Sequence, residues 1–139
     1  MTRTLQDPTI VQSVADEIVH WFDSADLDRN RWIADAEVDV WQPGARIQAT
    51  GVDAIDAIYR SAYPTGQEVT WSSAVATERG VLVEFTIRTR DSERRFAKEC
   101  AVVDTDAVGL ITKARMHCTG EWSPAGEQAF LAQGGSLEV

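Results

Sequence analysis

Between Val69 and Trp122 the chain alternates apolar with polar residues in four successive stretches, and that half of the sequence admits few folds. The stretches run from Val69 to Glu78, Val81 to Arg90, Arg94 to Asp104 and Leu110 to Cys118. Turn-forming residues separate them at Arg79-Gly80, Asp91-Ser92 and Asp104 to Gly109. Period-two alternation is the mark of a strand with one face buried. Short turns between such strands predict an antiparallel meander.

The first half has a different period. Asp7-Pro8 is a helix start, because Asp supplies an acceptor for free N–H groups and Pro gives up a hydrogen that had no partner. Ile10, Val11, Val14, Ile18 and Phe22 then recur at helical spacing. Asp26 is placed to cap a second helix over Leu27 to Ala36, with Leu27 and Ile33 on its apolar side. Val38 to Gln42 alternates as a strand stopped by Pro43-Gly44. A third helix after Gly51 carries Val52, Ile55, Ile58, Tyr59 and Ala62 on one stripe and ends before Pro64. Helices first and strands later predict an α+β fold: a curved antiparallel sheet covered on one face by three N-terminal helices that enclose a pocket. The tail from Ser123 predicts one or two helical turns around Glu127 to Ala132, fraying from Gly134 onward.

The 139 residues read as a single domain, with a core of about 7 to 122 and a tail of 123 to 139. A formal charge of −9 without a basic run argues against nucleic acid as a partner, since phosphate-backbone readers need a positive footprint. No stretch reaches the roughly 18 apolar residues of a membrane helix, and no apolar leader follows Arg3, so the expectation is a cytoplasmic protein without a membrane partner. Cys100 and Cys118 are too few for a disulfide framework, lack metal-ligand spacing and fall on opposite strand parities.

Parity also sorts the candidate pocket residues. Val81, Val83, Phe85 and Ile87 form the apolar face of their strand, and Leu110, Thr112, Ala114, Met116 and Cys118 the more apolar face of the last one. Ile111, Lys113, Arg115 and His117 then face the other way. That outer face, with Leu82, Glu84 and Arg88, predicts a homodimer interface. The Arg94 to Asp104 strand is ambiguous, because Ala97, Glu99, Ala101 and Val103 oppose Phe96, Lys98, Cys100 and Val102. If the first set faces the pocket, Glu99 is desolvated and becomes a neutral acid or donor. If not, Glu99 is a surface partner for an arginine.

The order of helices and strands, with Phe22-Asp23-Ser24-Ala25-Asp26-Leu27-Asp28-Arg29 at the end of the first helix and Gln42-Pro43 at a strand end, resembles the cone-shaped fold of the SnoaL-like, or nuclear transport factor 2-like, superfamily. In its ketosteroid isomerase branch an Asp-Pro dipeptide supplies the general base, and a buried acid stays protonated in an apolar site. The resemblance places Gln42 at the base and Glu99 at the buried acid. In scytalone dehydratase and its relatives a segment similar to Phe22 to Arg29 carries a working Asp, which implies Asp23. Limonene epoxide hydrolase has an Asp where this chain has Met116. The resemblance thus implies a cofactor-independent enzyme that binds a small hydrophobic molecule, polyketide- or terpenoid-like, and performs cyclisation, isomerisation, dehydration or epoxide opening. Asp23 and Glu99 would be its catalytic residues, and Gln42, Trp71, Phe85, Met116 and Ile18 would contact substrate, with no metal. The departures at Gln42, Met116 and Phe22 equally suit a non-catalytic binding module or a structural dimer partner. Five tryptophans, at 21, 32, 41, 71 and 122, are available as pocket wall or ordinary core.

Overall fold

The structure, a computed structural model, describes residues 7 to 134. Its first helix, α1 (Pro8–Ser24), starts where Asp7 accepts a 2.7 Å hydrogen bond from the Thr9 amide. It ends at Ala25, a buried residue in the left-handed region at φ 58°. Val14, Ile18, Trp21 and Phe22 form its buried face.

The expected second helix over Leu27 to Ala36 is absent. Asp28 caps a single 3-10 turn, Arg29–Arg31, and the chain then enters a long strand, β1 (Trp32–Gln42). Leu27 and Ile33 lie too far apart to sustain a helical stripe, and pairing with the last strand outweighs the helix propensity of Ala34 and Ala36. The buried Glu17 fixes this junction. It accepts from the Asp28 amide at 2.9 Å and from Trp32 Nε1 at 2.6 Å. Burial pushes its carboxyl up to about 7 despite both bonds.

Beyond Pro43-Gly44 the chain forms an edge strand, β2 (Ala45–Thr50), which the sequence reading did not anticipate, and then α2 (Val52–Ala62). The meander follows as β3 (Gln67–Ala76), β4 (Gly80–Thr89), β5 (Phe96–Thr105) and β6 (Ile111–Cys118), and a last helix, α3 (Pro124–Ala132), closes the described chain. The expectation of an α+β fold holds, with two corrections. Two helices precede the meander rather than three, the expected helix after Gly51 being α2, and the helical turns expected around Glu127 to Ala132 are α3. The sheet is mixed, in the order β2-β1-β6-β5-β4-β3, because β1 runs parallel to β6 while all other pairs are antiparallel.

α1 and α2 share one face of this sheet, while α3 reaches the other through Glu127, which pairs with the outward Arg88 at 2.6 Å. α1 packs on β3 and β4, and α2 on β1 and β2, leaving the centre of the sheet, β5 and β6, beneath the gap between them. Val81, Val83, Phe85 and Ile87 face inward as parity requires, as do Ala114 and Met116. Ile111 is also fully buried, against the parity expectation, because irregularities between Asp104 and Thr105 and between Trp32 and Glu37 shift the face on which that end of β6 lies. Among the described residues no helix is long and apolar enough to cross a membrane.

Candidate active site

The register of β5 resolves the ambiguity at Glu99. Phe85 pairs with Glu99, and Glu99 with Cys118, so all three share the inner face, while Cys100 pairs with the outward His117. Glu99 is only 6% exposed. Burial pushes its carboxyl up to about 7, a hydrogen bond from the Cys118 thiol offsets part of that rise, and the charge of Glu121 adds to it. Among the described residues its Oε2 has no hydrogen-bond partner. Cys118 pays in turn: burial, with the neighbouring Glu99, pushes the thiol up to about 12.

Glu99 lies in the wall of a cavity of about 490 Å³ beneath the gap between the helices. This size is ordinary for small-molecule sites, which run from roughly 300 to 1,000 Å³. Val38, Val40, Ile47 and Ala49 supply one side, Ile55, Ile58 and Tyr59 of α2 the lid, and Trp21 and Phe22 of α1 the far wall. Met116 and Gln42 line it too. The Tyr59 hydroxyl has one proton and donates it to the Phe22 carbonyl at 2.6 Å. Burial raises Tyr59 far above the ordinary phenol range, so it braces the wall and is no acid.

A second polar cluster lies where β6 ends. Trp122 exchanges backbone hydrogen bonds with Phe96, donating at 2.6 Å and accepting at 2.9 Å, and this bridge turns Glu121 into the cavity wall. The Glu121 carboxylate accepts from the Tyr63 hydroxyl and pairs with Arg95 at 2.9 Å. Arg95 also binds Asp91 at 2.9 Å. Desolvation and the contact with Glu121 push the Tyr63 phenol above its ordinary range.

Three of the seven residues expected from sequence therefore meet in one cavity: Glu99, Gln42 and Met116. Asp23 lies outside its lining. One Asp23 oxygen accepts from the Val69 amide at 3.0 Å and the other pairs with Arg90 at 2.8 Å, so the carboxylate ties the end of α1 to β3 and β4. Gly66 makes this approach possible. It adopts φ +74°, and a Cβ there would stand 2.1 Å from the Asp23 carbonyl oxygen. Trp71 pairs with Thr86 on the outer face, beneath the Lys98 ammonium, and cannot reach the cavity. Ile18 and Phe85 are fully buried core, with Phe85 edge-on against Phe22 at 4.8 Å, and they back the wall rather than form it. Glu121, Tyr63, Arg95 and Gln67 were not anticipated. For Glu121 no local signal exists, since it lies past the last strand and is placed by the Phe96–Trp122 bridge.

Known structures have a similar fold. A SnoaL-like protein of unknown function from Burkholderia thailandensis superposes with a TM-score of 0.60 at 19% identity, covering 84% of this chain and 100% of that one. An LEH-like epoxide hydrolase from M. tuberculosis gives 0.61 at 19% identity, covering 90% of each chain. A steroid delta-isomerase from Pseudomonas aeruginosa gives 0.54 at 18% identity, covering 94% and 92%. The chain has the SnoaL-like, or nuclear transport factor 2-like, fold. No family model and no curated protein matches the sequence. At these identities the likeness fixes the architecture, and this fold carries many functions. In the SnoaL-like frame Gln42 lines the cavity at the end of β1 and Glu99 lines it from the middle of the sheet.

Proposed function

We propose that the protein is an enzyme that transfers protons to and from a small, largely apolar, oxygenated molecule, using only its own side chains. The observation that carries this reading is Glu99, a buried carboxyl in the cavity wall with one oxygen unpartnered. A carboxylic acid with a pKa near the working pH is suited to give a proton to an epoxide, carbonyl or hydroxyl oxygen. The other acid in the lining is Glu121, whose carboxylate can take a proton from a carbon or from an attacking water. One proton given and one taken balances isomerisation, cyclisation, dehydration or epoxide opening. Asp23, outside the cavity lining, has no part in this scheme.

A non-catalytic binding module is the second reading. It is favoured by Gln42 and Met116, which cannot exchange protons, at lining positions where the resemblance would place acids. The outer face of the sheet, with the exposed Val75 and the half-buried Leu82 and Val102 on adjacent strands, supports a homodimer in either case.

The test is turnover of a terpene epoxide, a β,γ-unsaturated cyclic ketone and a β-hydroxy ketone by the native protein and by Glu99→Gln. Turnover of at least one is expected, falling as pH rises past about 7 because the acid ionises. Glu99→Gln should lower kcat by about 10²- to 10⁴-fold, the range for loss of a general acid. Undiminished turnover in that variant refutes the role of Glu99. Tight binding of all three without turnover selects the binding module.

A further inference from the structure

Buried polar groups almost always find partners, so those that lack one demand an explanation. Among the described residues three buried side-chain atoms have none: Trp21 Nε1, Arg95 Nε and Glu99 Oε2. All three residues line the same cavity. They come from separate parts of the fold, Trp21 from α1, Glu99 from β5 and Arg95 from the turn before it. Trp32 offers the contrast. Its indole N–H, equally buried, is satisfied by Glu17 at 2.6 Å. Trp21 is 2% exposed and packs on Phe22, Trp32 and Tyr59, with ring centroids 5.0, 5.4 and 5.2 Å away, and no acceptor oxygen or nitrogen is supplied to it. Glu93 stands 3.6 Å from Arg95 Nε, close enough for an ion pair and too far for a hydrogen bond.

We infer that the cavity is built for a ligand with at least two oxygen acceptors on one apolar skeleton, one receiving the Trp21 indole N–H and another meeting Glu99, with Trp21 as a specificity-determining residue. This rests on the reading of the cavity as a substrate site and narrows its substrate class. An indole is a donor only, so the group opposite it must be an acceptor, such as a ketone, ether or hydroxyl oxygen. A hydrocarbon with a single oxygen satisfies Glu99 and leaves Trp21 unpaired. A doubly oxygenated one satisfies both. The pocket would therefore favour doubly oxygenated molecules over singly oxygenated ones, because a site built to hydrogen-bond discriminates against analogues that lack the partner.

The probes are bicyclic molecules of the same ten-carbon skeleton, 1-decalone and the set of isomeric decalin diones, with affinities measured by calorimetry on the native chain and on Trp21→Phe. At least one dione should bind about tenfold more tightly than the monoketone, which corresponds to about 1.4 kcal/mol. Trp21→Phe should abolish the dione's advantage, bringing the ratio of the two affinities to about one. Should the variant fail to fold, the indole N–H proton of Trp21 in the native chain is read by NMR, and it should move downfield on titration with the dione. Equal affinities in the native protein, no measurable binding of any dione, or an unchanged ratio in Trp21→Phe overturns the inference. So does an unmoved indole proton, the result expected if a neighbouring ring face already satisfies it. These are equilibrium readouts, so they fail separately from the turnover test of Glu99.

Discussion

Replacing Glu99 with Gln should leave stability nearly unchanged at pH 5 and raise it as pH increases. The carboxyl stands at about 7 in the folded chain against 4.5 for an ordinary Glu, so between these values the native state holds a proton that the unfolded state has released. Stability then falls as pH rises: the contribution is complete below about 4.5 and is lost by the time pH passes about 7. At 1.36 kcal/mol per unit, a shift of this size corresponds to roughly 3 kcal/mol. Gln is isosteric with the neutral acid and does not titrate. Glu17, also raised to about 7, contributes in the same direction to both proteins and cancels in the difference. Urea unfolding at pH 5, 6, 7 and 8 measures that difference as a shift in midpoint at constant slope. Glu99→Gln is expected to match the native chain at pH 5 and exceed it by roughly 2 to 3 kcal/mol at pH 8. A difference that stays flat across the series would show that Glu99 ionises without penalty, and the neutral-acid role would fall with it.

Thiol titration in denaturant without reductant should find both cysteines free. In the native chain at pH 8 Cys118, with its thiol at about 12, should react far more slowly than the less perturbed Cys100, and equal rates would contradict the burial of Cys118 beside Glu99. Gly66→Ala should destabilise by roughly 3 kcal/mol or more, because the added Cβ meets backbone at 2.1 Å and the φ is left-handed; an unfolding midpoint within experimental error of the native one contradicts the close approach of Gly66 to Asp23. Light scattering at tens of micromolar should give the mass of two chains if the outer face of the sheet is an interface, and the mass of one chain removes that proposal.

Local pattern alone was enough for α1, α2 and the four meander strands, because alternation and helical spacing are properties of neighbouring residues. Parity along β4 likewise identified the inner face without any tertiary information. The same reasoning failed between Leu27 and Ala36, where propensity is weak and the partner that makes the segment a strand lies more than seventy residues away in β6. It also failed for the direction of β1 against β6, since nothing in a strand's own sequence states which way its neighbour runs. For the site, the sequence supplied Glu99 as a candidate but left its side open, because small and polar residues occupy both faces of β5. Register with Phe85 and Cys118 decided it. Asp23 and Glu121 are opposite cases of one limit. Asp23 carries a motif-like context yet lies outside the cavity, bound to Val69 and Arg90, and Glu121 carries none yet is turned into the cavity by a two-bond bridge. A carboxylate's chemistry depends on what surrounds it within a few ångströms, and those surroundings come from chain segments far apart in sequence that only the folded sheet brings together.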